Sequence, residues 1–206
     1  MHILFVHGMG RTPLSGAPLL FACRRNGIRV STFGYSTATQ NFVSIRDRLS
    51  KRIAGMASQG DYVLIGHSLG GVLIRDALGK LPSAMGLPKH VFLLGSPIAA
   101  SRMAKKFSQQ WIYRLLTTDC GQLLACAERM AKIGALSVST TSIVGTKGIN
   151  GKYSPFLDEP NDGVVAVSEV AARWIGAEIR VPVIHTLLPA NGVVIDAILK
   201  ILMAYE

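Results

Sequence analysis

Five residues, Gly66-His67-Ser68-Leu69-Gly70, stand between the apolar run Tyr62-Val63-Leu64-Ile65 and the stretch Gly71-Val72-Leu73-Ile74-Arg75-Asp76-Ala77-Leu78. The short unbroken apolar run reads as a buried strand, and the stretch after the five residues reads as a buried helix. A strand that becomes a helix so abruptly brings its end against the helix start. The residues two positions on either side of the turn must then be small. Gly66 and Gly70 meet that need, and Gly71 adds room. Ser68 at the apex is expected in a strained backbone conformation, with its Oγ projecting above the sheet. An ordinary glycine-rich turn is the plainer reading of the same residues, and what the rest of the chain offers to Ser68 decides between the two.

Around this turn the chain alternates between strand-like and helix-like segments. His2 to Val6, Ile28 to Phe33, Tyr62 to Gly66, Val91 to Leu94, Ser142 to Val144 and Ile179 to Ile184 read as strands. Helices are expected over Pro18 to Arg25, ended by Asn26-Gly27, and over Leu69 to Leu78. Asn41 to Gln59 carries Phe42, Ile45, Leu49, Ile53 and Met56 three or four residues apart, an amphipathic helical spacing. Val164 to Trp174 and Val193 to Tyr205 read as two further helices, and Gly145 to Asn161 as a long loop. The segment 101–137 is the least determined. It holds apolar residues at helical spacing from Met103 to Leu116, then a second helix expected from about Cys120 to Ile133 with Asp119 as its cap. Such alternation predicts an α/β protein: a mostly parallel six-stranded sheet with helices on both faces, as one domain over 1–206.

Composition narrows the functional classes. The chain is 49% hydrophobic and 17% charged, which excludes a disordered protein. Its three cysteines, Cys23, Cys120 and Cys126, have no metal-ligand spacing and read as reduced thiols of a cytoplasmic protein; no secretion signal is evident at the start. The net charge is +10, but the basic residues are scattered and no aromatic-interleaved basic motif appears, so no nucleic-acid partner is expected. Lys105, Lys106 and Arg114 lie beside Trp111 and offer a weak membrane-surface contact.

In a parallel sheet, functional groups gather beyond the carboxyl ends of the strands. A serine there needs a histidine as base, and the histidine needs a carboxylate to orient it. Of five histidines, His185 alone follows a strand late in the chain. The carboxylate is expected between Ser68 and His185 in sequence. Asp162, in Asn161-Asp162-Gly163, is the leading candidate, with Asp158, Glu159 and Asp119 as rivals. Stabilising a tetrahedral oxyanion takes two backbone N–H groups. Leu69 offers one at a helix start, where the N–H groups are free. Met9, in the loop His7-Gly8-Met9-Gly10 after the first strand, offers the other.

Together the Gly-His-Ser-Leu-Gly-Gly turn, the His-Gly-Met-Gly loop and the Asn-Asp-Gly-Val-Val segment resemble the α/β-hydrolases, and within them the lipases and esterases. The resemblance implies a serine hydrolase that cleaves carboxylic esters of a small-molecule acyl substrate through an acyl-enzyme, without a cofactor. It casts Ser68 as nucleophile, Asp162 as acid, His185 as base, and Met9 and Leu69 as oxyanion donors. By the same resemblance, the two antiparallel strands that usually open the fold are expected to be missing, with His2 to Val6 as the first strand. Thr186-Leu187-Leu188-Pro189 follows His185, so no calcium or other metal is expected. By the same resemblance, 101–137 stands where relatives carry a small lid or cap; its apolar residues either line an acyl pocket or simply pack. The same machinery serves thioesterases and amidases, and a silent hydrolase scaffold used for binding is the alternative outside catalysis. The sequence leaves acyl length, alcohol and oligomeric state open.

Overall fold

The computed structural model describes residues 1–205. Six strands, β1 (His2–Val6), β2 (Arg29–Phe33), β3 (Tyr62–His67), β4 (His90–Leu94), β5 (Thr140–Gly145) and β6 (Ala177–Val181), form one sheet in the order β2-β1-β3-β4-β5-β6. Every neighbouring pair is parallel. The chain builds outward from β1 to one side with β2 and then to the other with β3. The order therefore reverses between β1 and β3, the position where open α/β sheets form their crevices.

Helices α1 (Ala17–Arg25), α2 (Phe42–Ala57), α3 (Leu69–Leu78) and α8 (Gly192–Met203) cover the two faces. Successive residues of a strand point to opposite faces, so a strand covered on both sides must be apolar throughout. Leu4 and Val6 of β1 pack with Leu49 and Ile53 of α2 and Val72 and Leu73 of α3. Ile3 and Phe5 face the other way, onto Leu19 and Cys23 of α1 and Ile198 and Leu202 of α8. Burying each such side chain contributes roughly 1.5–3 kcal/mol, enough in sum to hold the strand ends in fixed relation. Among the described residues no helix is long and apolar enough to cross a membrane.

Beyond β4 lie α4 (Arg102–Phe107), α5 (Trp111–Ala125) and α6 (Ala127–Ala131). The expected helix from Cys120 to Ile133 is thus two elements. A kink at Thr118 (φ 43°) divides α5 near the expected start, and Cys126, with extended backbone, separates α5 from α6. Asp119 does not cap its own helix. Its carboxylate accepts the Phe42 N–H at 3.2 Å, at the start of α2, and pairs with Arg129 at 2.8 Å. Arg75 of α3 is buried and ties down both ends of this segment. Its guanidinium donates to the carbonyls of Pro97, Ile98, Ile133 and Gly134 at 2.8–3.5 Å. Burial pushes the Arg75 pKa down to about 10.

Two expectations near the carboxyl end need correction. Only Val167–Val170 (α7) of the stretch 164–174 is helical. The Asp162 carboxylate takes the Val164 and Val165 N–H groups in a tight turn closed by an Asn161–Ala166 bridge, and Glu169 takes the Ala166 N–H, so no helix starts before Val167. Local side-chain bonds of this kind displace a helix despite helical apolar spacing. The last strand ends at Val181, not at Ile184, because Pro182 has no N–H to give to the ladder. His185 consequently opens a short 3₁₀ turn, His185–Ala190, rather than following the strand directly.

Candidate active site

The turn after β3 has the geometry its glycines anticipate. Ser68 has φ 54° and ψ −123°, a left-handed conformation that costs on the order of 1–3 kcal/mol for a residue with a side chain. The Ser68 N–H donates to the Leu94 carbonyl at 2.8 Å, and its own carbonyl accepts the Gly71 N–H at 3.0 Å, which holds the strained residue between β4 and α3. A Cβ on Gly66 would overlap the Gly71 backbone, and one on Gly70 would overlap the Val6 carbonyl. Strand and helix can therefore meet at this angle only with glycine at both positions.

His185 and Asp162 meet beyond β5 and β6. His185 Nδ1–H donates to Asp162 Oδ2 at 2.6 Å, and the His185 backbone N–H donates to the Asp162 carbonyl at 2.9 Å. Both side chains are buried. Oδ1 of Asp162 accepts the Val164 and Val165 N–H groups at 2.9 and 2.8 Å, which fixes the carboxylate plane. Gly95 backs the imidazole: a Cβ there would stand 2.9 Å from His185 Cε1. The rival acids are engaged elsewhere, Glu159 with Arg102 at 2.6 Å and Asp119 with Arg129, while Asp158 lies exposed. No hydrogen bond joins His185 to Ser68 Oγ among the described residues; such bonds are often long in a substrate-free site and tighten on binding.

The loop after β1 is pinned by His7, a residue to which sequence reasoning gave no role. His7 Nδ1–H donates to the Gly8 carbonyl at 2.8 Å, and the Arg11 N–H donates to the same oxygen at 3.2 Å. His7 Nε2 accepts the Tyr35 N–H at 3.3 Å, and the two rings stack 4.2 Å apart. This pattern requires a neutral imidazole, and burial lowers the His7 pKa accordingly. In a trans peptide the carbonyl and the next N–H point in opposite directions. With the Gly8 oxygen held toward His7 and Arg11, the Met9 N–H faces away from them, and Met9 lines the cavity at Ser68. The loop sits against the turn: a Cβ on Gly8 would lie 3.1 Å from that of Ser68. Leu69, first in α3, has a main-chain N–H that no carbonyl of its own helix can accept.

His67, also unassigned from sequence, donates from Nε2 to the His185 carbonyl at 3.1 Å. Burial, reinforced by His185 nearby, keeps its pKa well below the usual histidine range.

A cavity of about 110 Å³ opens over Ser68, lined by Met9, Pro97, Met103, Tyr113 and Val165 among others. Met103 also lines a second, larger trough of about 340 Å³ between α4 and the 149–156 loop. No group of three or more His, Cys, Asp or Glu among the described residues is arranged to hold a metal ion.

No family model matches the sequence, and no curated protein sequence matches it. Solved structures do. The mature lipase BlEst2 of Bacillus licheniformis aligns with a TM-score of 0.65 at 15% identity, over 97% of this chain and 91% of that one. The RedJ thioesterase of prodiginine biosynthesis in Streptomyces coelicolor aligns with a TM-score of 0.67 at 14% identity, over 98% and 88%. A metagenomic carboxyl esterase, MGS0156, reaches 0.71 at 15% identity, over 91% of this chain and 65% of its own. At such identities what is shared is architecture, and these alignments, with the parallel sheet and the turn at Ser68, assign the chain to the α/β-hydrolase fold.

Proposed function

We propose that the protein is a serine hydrolase that cleaves carboxylic esters through an acyl-enzyme. The observation that carries the reading is the buried 2.6 Å pair of Asp162 and His185 at the same end of the sheet as the strained Ser68. Asp162 keeps the proton on His185 Nδ1, which leaves Nε2 as a base. Ser68 Oγ attacks the ester carbonyl and passes its proton to Nε2. The Met9 and Leu69 N–H groups donate to the developing oxyanion, each worth roughly 100- to 1000-fold in turnover. The tetrahedral intermediate collapses, His185 returns the proton to the departing alcohol, and the acyl group stays on Ser68. Water, deprotonated by His185, then releases the carboxylic acid and restores Ser68. No step calls for a cofactor.

A thioester would follow the same course with a thiol as leaving group, and the likeness to a thioesterase as well as to a lipase and an esterase favours neither bond. A cytoplasmic setting accompanies this reading, since Cys23, Cys120 and Cys126 are free thiols. The test is hydrolysis of a p-nitrophenyl ester series from acetate to palmitate, beside Ser68→Ala and the matching acyl thioesters. Cleavage by the native protein that is absent from Ser68→Ala supports the reading. Equal rates from both proteins would overturn it.

A further inference from the structure

The first half of α5 is built the wrong way round for a helix that merely packs. Trp111, Ile112, Leu115 and Leu116 fall on one face, and that face is turned outward: Trp111 is 72% exposed, Leu115 63% and Leu116 58%. The inward positions are Tyr113, on the Ser68 cavity, and the buried Thr117. The face is not a loose flap. Thr118 Oγ1 donates to the Thr37 carbonyl at 2.6 Å, and Thr37 Oγ1 to the Leu116 carbonyl at 3.3 Å.

Charge accompanies it. From 101 to 118 there are four cations, Arg102, Lys105, Lys106 and Arg114, and no Asp or Glu. Arg102 is spent on Glu159 and Glu169; the other three are exposed. The neighbouring 149–157 loop repeats the pattern with exposed Ile149, Tyr153 and Leu157 beside Lys152, and Lys106 Nζ joins it through the Tyr153 carbonyl at 3.0 Å. That loop holds no Asp or Glu; the exposed Asp158 follows it directly.

We propose that this face docks on an anionic lipid bilayer. Outward apolar side chains interleaved with cations suit an interface where aromatic and aliphatic groups enter the acyl boundary and lysines meet anionic headgroups. A second copy of the chain is a poorer occupant, because a symmetric pairing would set Lys105, Lys106 and Arg114 near their own counterparts. Docking in this orientation directs the 340 Å³ trough, flanked by Lys106, Lys152 and Tyr153, toward the bilayer, and Met103 connects the trough to the Ser68 cavity. Taken with the ester-hydrolase reading, on which this last step rests, the substrate class is an ester or thioester of a membrane-borne amphiphile.

The experiment separates docking from catalysis. The Ser68→Ala protein, which leaves lipid intact, is sedimented with vesicles of phosphatidylcholine alone and of phosphatidylcholine mixed with phosphatidylglycerol. It is expected to bind the mixed vesicles and to leave the neutral ones largely in solution. Trp111→Ser with Leu115→Ser is expected to lower the bound fraction at least about tenfold. Lys105→Gln with Lys106→Gln is expected to lower it about fivefold per lysine, on the anionic vesicles only. In the Ser68→Ala background, thermal unfolding of each variant should match its parent, because the changed side chains are exposed. With Ser68 restored, the Trp111/Leu115 variant should hydrolyse soluble p-nitrophenyl butyrate at the native rate, a control that reports on the hydrolase reading alone. Failure of the Ser68→Ala protein to bind anionic vesicles would overturn docking, as would equal binding by the apolar variant. A concentration-dependent dimer abolished by the same variant would assign the face to a second copy and overturn it too.

Discussion

Replacing Asp162 by asparagine tests the orientation of His185 while leaving the shape of the site intact. Oδ1 of Asp162 accepts two backbone N–H groups, from Val164 and Val165, whereas Oδ2 accepts only His185 Nδ1–H. In Asp162→Asn the amide oxygen must stay where Oδ1 was, because an NH₂ there would face two donors and leave both unpaired in a buried site. The NH₂ therefore points at His185 Nδ1 and donates to it. The imidazole then carries its proton on Nε2, toward Ser68, and cannot take another from the serine. A wrong tautomer in a Ser-His-Asp arrangement costs about 10⁴-fold in kcat, which is about 5.4 kcal/mol of activation free energy at 1.36 kcal/mol per decade. Stability changes far less, by roughly 1.5–3 kcal/mol for a hydrogen bond to a charged group. The assay is kcat and KM on p-nitrophenyl butyrate for the native and Asp162→Asn proteins, with thermal unfolding of both. The account predicts a nearly dead, folded enzyme with little change in KM. An Asp162→Asn protein within tenfold of native kcat would refute it, because His185 would then not act through this carboxylate.

Three other perturbations follow from the same geometry. His7→Phe keeps a ring stacked on Tyr35 but removes the donor to the Gly8 carbonyl; kcat should fall about 10- to 100-fold with KM little changed, and inhibition by an alkyl boronic acid, which forms a tetrahedral adduct, should weaken in parallel. Arg75→Met withdraws a donor from four carbonyls at the two ends of the 97–134 stretch. It should destabilise the fold by on the order of 3 kcal/mol, lowering Tm by roughly 10 °C, and admit protease within 101–137, whereas a higher Tm would contradict the clamp. The third concerns pH. Burial pushes the His90 pKa down from 6.5 to about 4, and burial lowers His7 and His67 in the same direction. Below pH 6.5 the unfolded chain binds protons that the folded chain refuses, so stability falls as pH drops from 6.5 toward 4 and is level above that window. Urea midpoints across the window should show that slope, reduced in His90→Gln.

What the sequence discloses here is mainly what is decided locally. Alternating apolar runs announce the parallel sheet because each strand is buried on both faces, and glycines two residues either side of Ser68 announce a turn that no larger residue permits. His185 stood out as a candidate from its place late in the chain, at the carboxyl end of the sheet. The carboxylate beside it was narrowed but not isolated, because Asp119, Asp158, Glu159 and Asp162 all precede His185; contact separates them, since Asp162 reaches the imidazole while Glu159 and Asp119 turn to arginines. The His7 pin, the Gly95 wall behind His185 and the Arg75 clamp depend on partners distant in sequence and leave no local pattern. The misplaced end of β6 is different. Pro182 stood in the sequence and its missing N–H was sufficient to stop the ladder there. The tight turn after Asp162 was hidden by valines at helical spacing, which gave no sign that carboxylates would capture the backbone there.

The central claim is that Ser68 is a nucleophile activated by His185, and labelling by a fluorophosphonate tests it without knowledge of the substrate. The account predicts one adduct per chain, located by mass spectrometry on Ser68, absent from Ser68→Ala and much slower to form in His185→Ala. A folded native protein that takes no label, or that takes it equally in Ser68→Ala, would contradict the account.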